Sequence, residues 1–153
     1  MTDNARQQGA RAVGHRCLCF AAQRAARALA RRFDEVFRAE GVTNGQFSIL
    51  VALSAGTRRT PSELAAALGM DRATLSVALK PLVRRGFVAV APDSQDARRR
   101  RLALTQDGVE KVSRLMPIWQ HEHEALEAEI EDATGFAPTM LRRSLQALSG
   151  IQV

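Results

Sequence analysis

TPSELAAALGMDRATLSVALKPLVRRGFVAVAPDSQDARRRRLALT, residues 60–105, is the stretch whose reading decides the fold. It opens with a helix start. Thr60 can accept from the backbone N–H of Glu63, and Glu63 can reach back to the amide of Thr60. Pro61 takes the first helical position, where a missing N–H costs nothing. Leu64, Ala65 and Leu68 form the buried stripe of this short helix, and Gly69 allows a tight turn. Asp71 caps a second helix with a core side of Leu75, Ala78, Leu79, Leu82 and Val83, ended by Gly86. Residues 87–91 and 100–104 alternate as two short strands. Pro92-Asp93-Ser94-Gln95-Asp96 supplies the turn between them, and Arg98, Arg99, Arg100 and Arg101 sit beside it. A helix pair followed by a basic hairpin predicts a winged helix-turn-helix.

Outward from that stretch the chain reads as helix. Residues 1–10 are polar and are expected to fray. From about residue 11 to 39, Leu18, Ala22, Ala25, Ala26, Leu29, Phe33, Val36 and Phe37 recur at helical spacing. They predict one long amphipathic helix ended by Gly41. Thr43 caps a helix through Phe47, Leu50, Val51 and Ala52 that stops near Ala55-Gly56. After Thr105 the helical pattern returns through Val109, Val112, Leu115, Met116, Trp119, Leu126 and Ile130, until Thr134-Gly135 breaks it. A last helix follows Pro138 through Met140, Leu141, Leu145 and Leu148. Pro81, inside the second helix of the pair, removes the bond to the Val77 carbonyl and is read as a tolerated kink. The fold class is mainly α, with one hairpin.

A length of 153 residues suits a single domain with its own core. The formal net charge of +6 suits an anionic partner, and its distribution is sharper than its total. Residues 61–105 carry eight Lys or Arg against four Asp or Glu, whereas residues 106–153 carry four against eight. The acidic C-terminal segment therefore does not belong to a surface for nucleic acid. Two cysteines give no disulfide framework. No run of eighteen apolar residues suggests a membrane span. The first sixteen residues hold an acid and no apolar stretch, which is unlike a signal peptide, so a cytoplasmic location is expected. The chain shows no Ser/His/Asp set, glycine-rich phosphate loop or paired-carboxylate motif, so neither enzyme chemistry nor a cofactor is expected. His121 and His123 are two apart, and helical metal ligands need a separation of three or four, so no metal site is expected either.

On the helix capped by Asp71, packing through Leu75, Leu79 and Leu82 leaves Arg72, Ala73, Ser76, Val77 and Lys80 outward. The first residues of a recognition helix are those that reach base edges of duplex DNA. Arg72 suits guanine, Ala73 and Val77 suit thymine methyl groups, and Ser76 suits base or phosphate. Lys80 and Arg84 lie further along and suit phosphate. Alternate residues of a strand face opposite ways, so the four arginines cannot all serve one surface. Arg98 is nearest the tip and suits a narrow minor groove, with Asp96 placed to clamp it. The blander alternatives are a solvated helix face and a solvated charge run.

These residues are similar to those of the MarR-type winged-helix regulators, bacterial repressors of drug, aromatic-acid and oxidant responses. Thr43-Asn44-Gly45-Gln46-Phe47 resembles their Leu-Thr-x-x-Gln-Phe segment, with Val42 in place of the leucine. Residues 61–67 resemble their PSELA helix, and Asp71-Arg72-Ala73-Thr74 the start of their recognition helix. Arg84-Arg85-Gly86-Phe87-Val88 resembles their ERGLV exit. Asp96-Ala97-Arg98 with Leu104-Thr105 resembles their wing signature. The resemblance covers about residues 17–130. It implies a single domain over residues 1–153: dimerisation helices at 11–40 and 106–150, and a winged DNA-binding region at 43–105. Thr74, Arg99 and Arg100 join the expected DNA contacts. The partners implied are a second copy of the chain, a pseudo-palindromic operator in double-stranded DNA, and a small aromatic or acyl effector. The terminal helices agree with pairing, since their apolar stripes have few large partners in so small a domain.

The expected effector cleft draws on His15, Arg16, Phe20, Phe47 and Trp119, and its occupation would release a repressor from DNA. A second reading is a redox-sensing repressor. Cys17-Leu18-Cys19-Phe20 resembles the Cys-Phe pair of the organic-hydroperoxide-sensing branch, with Cys19 as the carried-over thiol. That branch also uses tyrosines, and this chain has none. His15 or Arg16 can lower a thiol pKa, while the alternative is a buried structural thiol. On one helix Cys17 and Cys19 would point about 200° apart, a poor geometry for a disulfide. A reading of another class is a winged helix that binds protein and no DNA.

Overall fold

A computed structural model of the chain describes residues 3–56, 58–93, 96 and 98–150. Ser94 and Gln95 of the expected turn, and Ala97 of the wing signature, lie outside the described residues. The order is α1 (Asp3–Arg16), α2 (Leu18–Val36), a 3-10 turn (Arg38–Glu40), α3 (Asn44–Ser54), α4 (Pro61–Leu68) and α5 (Arg72–Arg84). Strands β1 (Val88–Pro92) and β2 (Arg100–Leu104) follow, then α6 (Gln106–Thr134) and α7 (Pro138–Leu148).

Local chemistry sets most of these boundaries. Thr43 with Gln46, and Thr60 with Glu63, each close a reciprocal capping box. Asp71 accepts from the amide of Thr74 at 2.8 Å. Thr105 accepts from the amide of Gly108 at 3.0 Å and donates its own hydroxyl to the Gly86 carbonyl at 2.6 Å. Thr105 thus starts α6 and fastens that start to the end of the helix-turn-helix. Gly41 and Gly69 take the left-handed conformation, φ +65° and +60°, that closes one helix and redirects the chain into the next.

The expected single helix over residues 11–39 is two helices. Cys17 is extended, with φ −82° and ψ 108°, and its sulfur accepts from the amide of Phe20 at 3.5 Å. It acts as the N-cap of α2 and turns the chain there. Gly14, one turn earlier, weakens the helix on the other side. The polar N-terminus is helical from Asp3 rather than frayed. Pro81 lies within a continuous α5, as Pro117 lies within α6.

The core lies between α2, α3, α4, α5, the hairpin and α6, built on Phe37, Ile49, Leu50, Leu64, Leu75, Leu82, Val88, Leu102 and Leu115. Burial of such side chains stabilises by about 1.5–3 kcal/mol each before entropy is counted. Phe33, Phe37 and Phe47 meet in series as tilted pairs, with ring centroids 5.9 and 4.6 Å apart, and Phe47 continues to Trp119 at 6.4 Å. This ladder runs from α2 through α3 to α6. Lys111 on α6 is buried, and its ammonium donates to the Glu40 carboxylate at 2.6 Å and carbonyl at 2.9 Å. That bond holds the Glu40 carboxyl below its ordinary range. Arg32 on α2 bridges to Glu122 and Glu129 on α6.

The hairpin pairs antiparallel from Val88 opposite Leu104 to Pro92 opposite Arg100. Arg59 adds one residue to its open edge, exchanging bonds of 3.2 and 2.8 Å with Leu102. Gly108 passes so close to Phe87 that an added Cβ would enter the Phe87 carbonyl oxygen. Gly108→Ala should therefore destabilise by roughly 1–3 kcal/mol, lowering the thermal midpoint. Gly45→Ala, with open space at the same atom, should stay within about 0.5 kcal/mol of the original.

Candidate nucleic-acid interface

The candidate interface is built from α4, α5 and the hairpin. On α5, Leu75 and Leu82 are buried, and Ala78 and Leu79 partly so. Val83, expected on the core side, is exposed, because it lies about 80° around the helix from Leu75. By the same geometry Ala73, Val77, Lys80 and Arg84 face away from the core. All four are exposed, and Val77 keeps 70% of its surface open to solvent.

The remaining α5 candidates are partly engaged. Arg72 Nη2 donates to Ser62 Oγ on α4 at 2.6 Å. The Thr74 hydroxyl donates to Asp71 at 2.6 Å, which leaves it only acceptor capacity toward a ligand. That bond is the leading reason the Asp71 carboxyl sits below its usual range. Ser76 is exposed beside Arg72, and the two share a cleft with Ser62, Leu79 and Arg100. Arg85, just past the helix, is not available. It donates to the Gly41 carbonyl at 2.5 Å and lies over the Phe87 ring.

The wing sorts its four arginines by partner. Asp96 accepts from the backbone amide of Arg98 at 3.0 Å, and its ion pair at 3.6 Å goes to Arg99 rather than to the Arg98 guanidinium. The Arg98 and Arg100 side chains are exposed. Arg101 turns the other way. Its guanidinium pairs with Asp93, whose side chain is largely covered, with Glu63 at 3.1 Å and with the Arg58 carbonyl at 3.2 Å. No local signal marks the roles of Ser62 and Arg101, because their partners lie ten and 38 residues away along the chain. The Glu63 carboxyl is held below its ordinary range chiefly by the Thr60 amide, with a lesser pull from Arg101.

The sensing candidates stand apart from this face. Cys17 is half-buried as a cap, whereas Cys19 is exposed, so the buried-thiol alternative does not describe Cys19. Gln23 Nε2 donates to the Cys19 sulfur at 3.3 Å, and Arg27 donates to the Gln23 oxygen at 3.3 Å. Phe47 and Trp119 line an apolar depression of about 310 Å³ with Val51, Leu68 and Met116. Phe20 lines a different hollow, beside Arg24, and His15 and Arg16 are exposed at the end of α1. Within one chain the five cleft candidates are therefore not one cleft. His123 stacks on Trp119 at 4.8 Å and meets Glu127 at 3.3 Å. Among the described residues no group of three or more His, Cys, Asp or Glu could hold a metal ion, and no helix is long and apolar enough to cross a membrane.

Residues 40–99 match the model of the MarR family. A transcriptional repressor of Bacillus subtilis, YetL, is 30% identical over 86 residues, 55% of this chain and 52% of that protein, so the match spans about half its length. The M. tuberculosis transcriptional regulator MosR, solved in complex with DNA, is 36% identical, with 88% of this chain and 94% of that one covered and a TM-score of 0.72. A mutant MarR from E. coli complexed with operator DNA shares the fold, with a TM-score of 0.76 at 22% identity over 90% and 96% of the chains.

The wing attachment can be tested without DNA. Arg101→Met should speed amide hydrogen exchange at Leu102 and Asp93, at least severalfold, while Arg100→Ala leaves those rates unchanged. The lowered Glu63 pKa gives a sign for acid. Its stabilisation is full above about 4.5, the ordinary value, and is lost as pH falls through the lower folded value. Exchange at the start of α4 should rise over that window, and in Glu63→Gln that acid response should vanish.

Proposed function

The chain belongs to the MarR family, and on that footing we propose that it is a homodimeric, sequence-specific DNA-binding repressor released by a small-molecule effector. The observation that carries this reading is the face of α5. Ala73 and Val77 stand exposed between Arg72 and Lys80, and the wing carries Arg98 and Arg100 alongside. That is an apolar and cationic surface suited to a major groove, flanked by a cationic tip suited to a minor groove. Arg72, Ala73, Ser76 and Val77 would meet base edges. Thr74, Lys80, Arg84, Arg99 and Arg100 would meet the backbone, and Arg98, with its amide held by Asp96, the adjacent minor groove.

Dimerisation rests on unspent apolar surface. No residue of α7 is buried, and Phe136, Met140, Leu141, Leu145 and Leu148 are exposed, as are Leu18, Phe20 and Leu29 on α2. Two-fold pairing of the terminal helices would cover them and set two α5 helices about one DNA turn, roughly 34 Å, apart. The Phe47–Trp119 depression is the proposed seat for a small aromatic or acyl effector. A second reading is redox release through Cys19, favoured by its exposure and by the Gln23 amide aimed at its sulfur.

Fluorescence anisotropy with duplexes selected from a randomised library tests the main reading. Affinity should fall by about 10³–10⁵ between 50 and 200 mM salt if six to ten phosphates are contacted. Arg98→Ala should weaken every duplex, whereas Arg72→Ala should also relax preference at one base pair, by about 1–3 kcal/mol. A protein-binding winged helix would show no saturable duplex binding at all. Separately, Cys19→Ser should abolish peroxide-induced release. Retained release in that variant would remove Cys19 as a sensor.

A further inference from the structure

Arg72 begins α5, and its guanidinium is already held before any ligand arrives. Nη2 donates to Ser62 Oγ at 2.6 Å, joining the first residue of α5 to the second residue of α4. Ser62 is itself well placed to hold it. Pro61 fixes the backbone before it, and the Thr60–Glu63 capping box brackets it with bonds of 3.2 and 2.8 Å. The turn between the two helices is set by Gly69 at φ +60° and by the Asp71 cap. Ser62 and Arg72 therefore meet across a rigid corner, in the cleft that also holds Ser76 and the wing's Arg100.

An arginine fork carries five N–H donors in one plane. One is committed to Ser62, which leaves an edge with two parallel donors, the pattern that matches guanine O6 and N7. An untethered arginine must lose rotamer freedom when it binds, and a fork held at one corner loses less. We propose that Ser62 is a specificity-determining positioning residue: it holds the Arg72 guanidinium so that the free edge reads one guanine of the operator. The inference rests on the reading of the chain as a duplex-DNA-binding protein, with α5 in the major groove.

The test uses the full chain and the duplex it selects from a randomised library, together with versions in which each guanine is replaced in turn. The unaltered protein and Arg72→Ala first locate the base pair that Arg72 reads. Ser62→Ala should then reduce discrimination at that base pair about two- to tenfold, the range for one hydrogen bond. Affinity for unrelated duplex and the slope of affinity against salt should stay unchanged. Ser62→Thr, which restores a hydroxyl, should restore discrimination. In an Arg72→Ala background, Ser62→Ala should have no further effect. An equal loss on every duplex that persists in that background overturns the proposal, since Ser62 would then act on the DNA backbone by itself. Full discrimination in Ser62→Ala overturns it as well. If the unaltered protein prefers no duplex, the functional reading falls first and this inference falls with it.

Discussion

One carboxylate oxygen, Glu63 Oε2, joins the two halves of the winged region. It accepts from the Thr60 amide at 2.8 Å, which starts α4, and from Arg101 at 3.1 Å, which brings in β2. A single atom therefore touches both the start of the helix and the hairpin beside it. The rest of the proposed reading surface hangs from that joint. Ser62 lies between the two capping residues, Arg72 is held by Ser62, and Arg100 precedes Arg101 on the strand. Arg101 completes the attachment by pairing with Asp93 at the far end of β1, so the hairpin is gripped across both of its strands. Charge-assisted bonds suit this task, because they are shorter and more directional than apolar contacts and fix an angle as well as a distance.

A second set of ties carries the winged region on the helices around it. Lys111 reaches Glu40, Arg85 reaches Gly41, and Thr105 reaches Gly86. All three meet the chain at the loops that bracket α3 to α5. The aromatic series from Phe33 to Trp119 crosses the same region through the core. The Phe47–Trp119 depression thus lies against the aromatic contacts that relate α3 to α6. A molecule seated there would press on both helices at once.

The charge asymmetry of the sequence acquires a structural meaning. The acidic residues of α6 serve partly as anchors, with Glu122 and Glu129 both bound to Arg32 of α2. Glu127 meets His123 on its own helix and Arg142 on α7. The C-terminal acids thus tie helices together away from α5 and the wing, whose outward cations Lys80, Arg84, Arg98 and Arg100 remain open to solvent.

The sequence alone determined what depends on neighbours within about four residues. The Thr60–Glu63 box, the Asp71 cap, the Gly41, Gly69 and Gly135 stops and the alternation of the hairpin are each complete in a short window. So are the outward positions Ala73, Val77 and Lys80 of α5, since helical periodicity dictates them, although Val83, read as core, is exposed as well. Tertiary structure decided whatever needed a partner far along the chain. No local rule says that Arg101, rather than Arg100, turns inward, because its partners Glu63 and the Arg58 carbonyl come 38 and 43 residues earlier. The single bridge at Arg59 has no periodicity to reveal it. The break at Cys17 has no proline to mark it, and it shows only where the sulfur caps α2. Phe47 and Trp119 share a wall while Phe20 does not, because packing of α3 on α6 decides which rings meet. Spacing along the chain reports faces of single helices, and only the packed fold reports which faces touch.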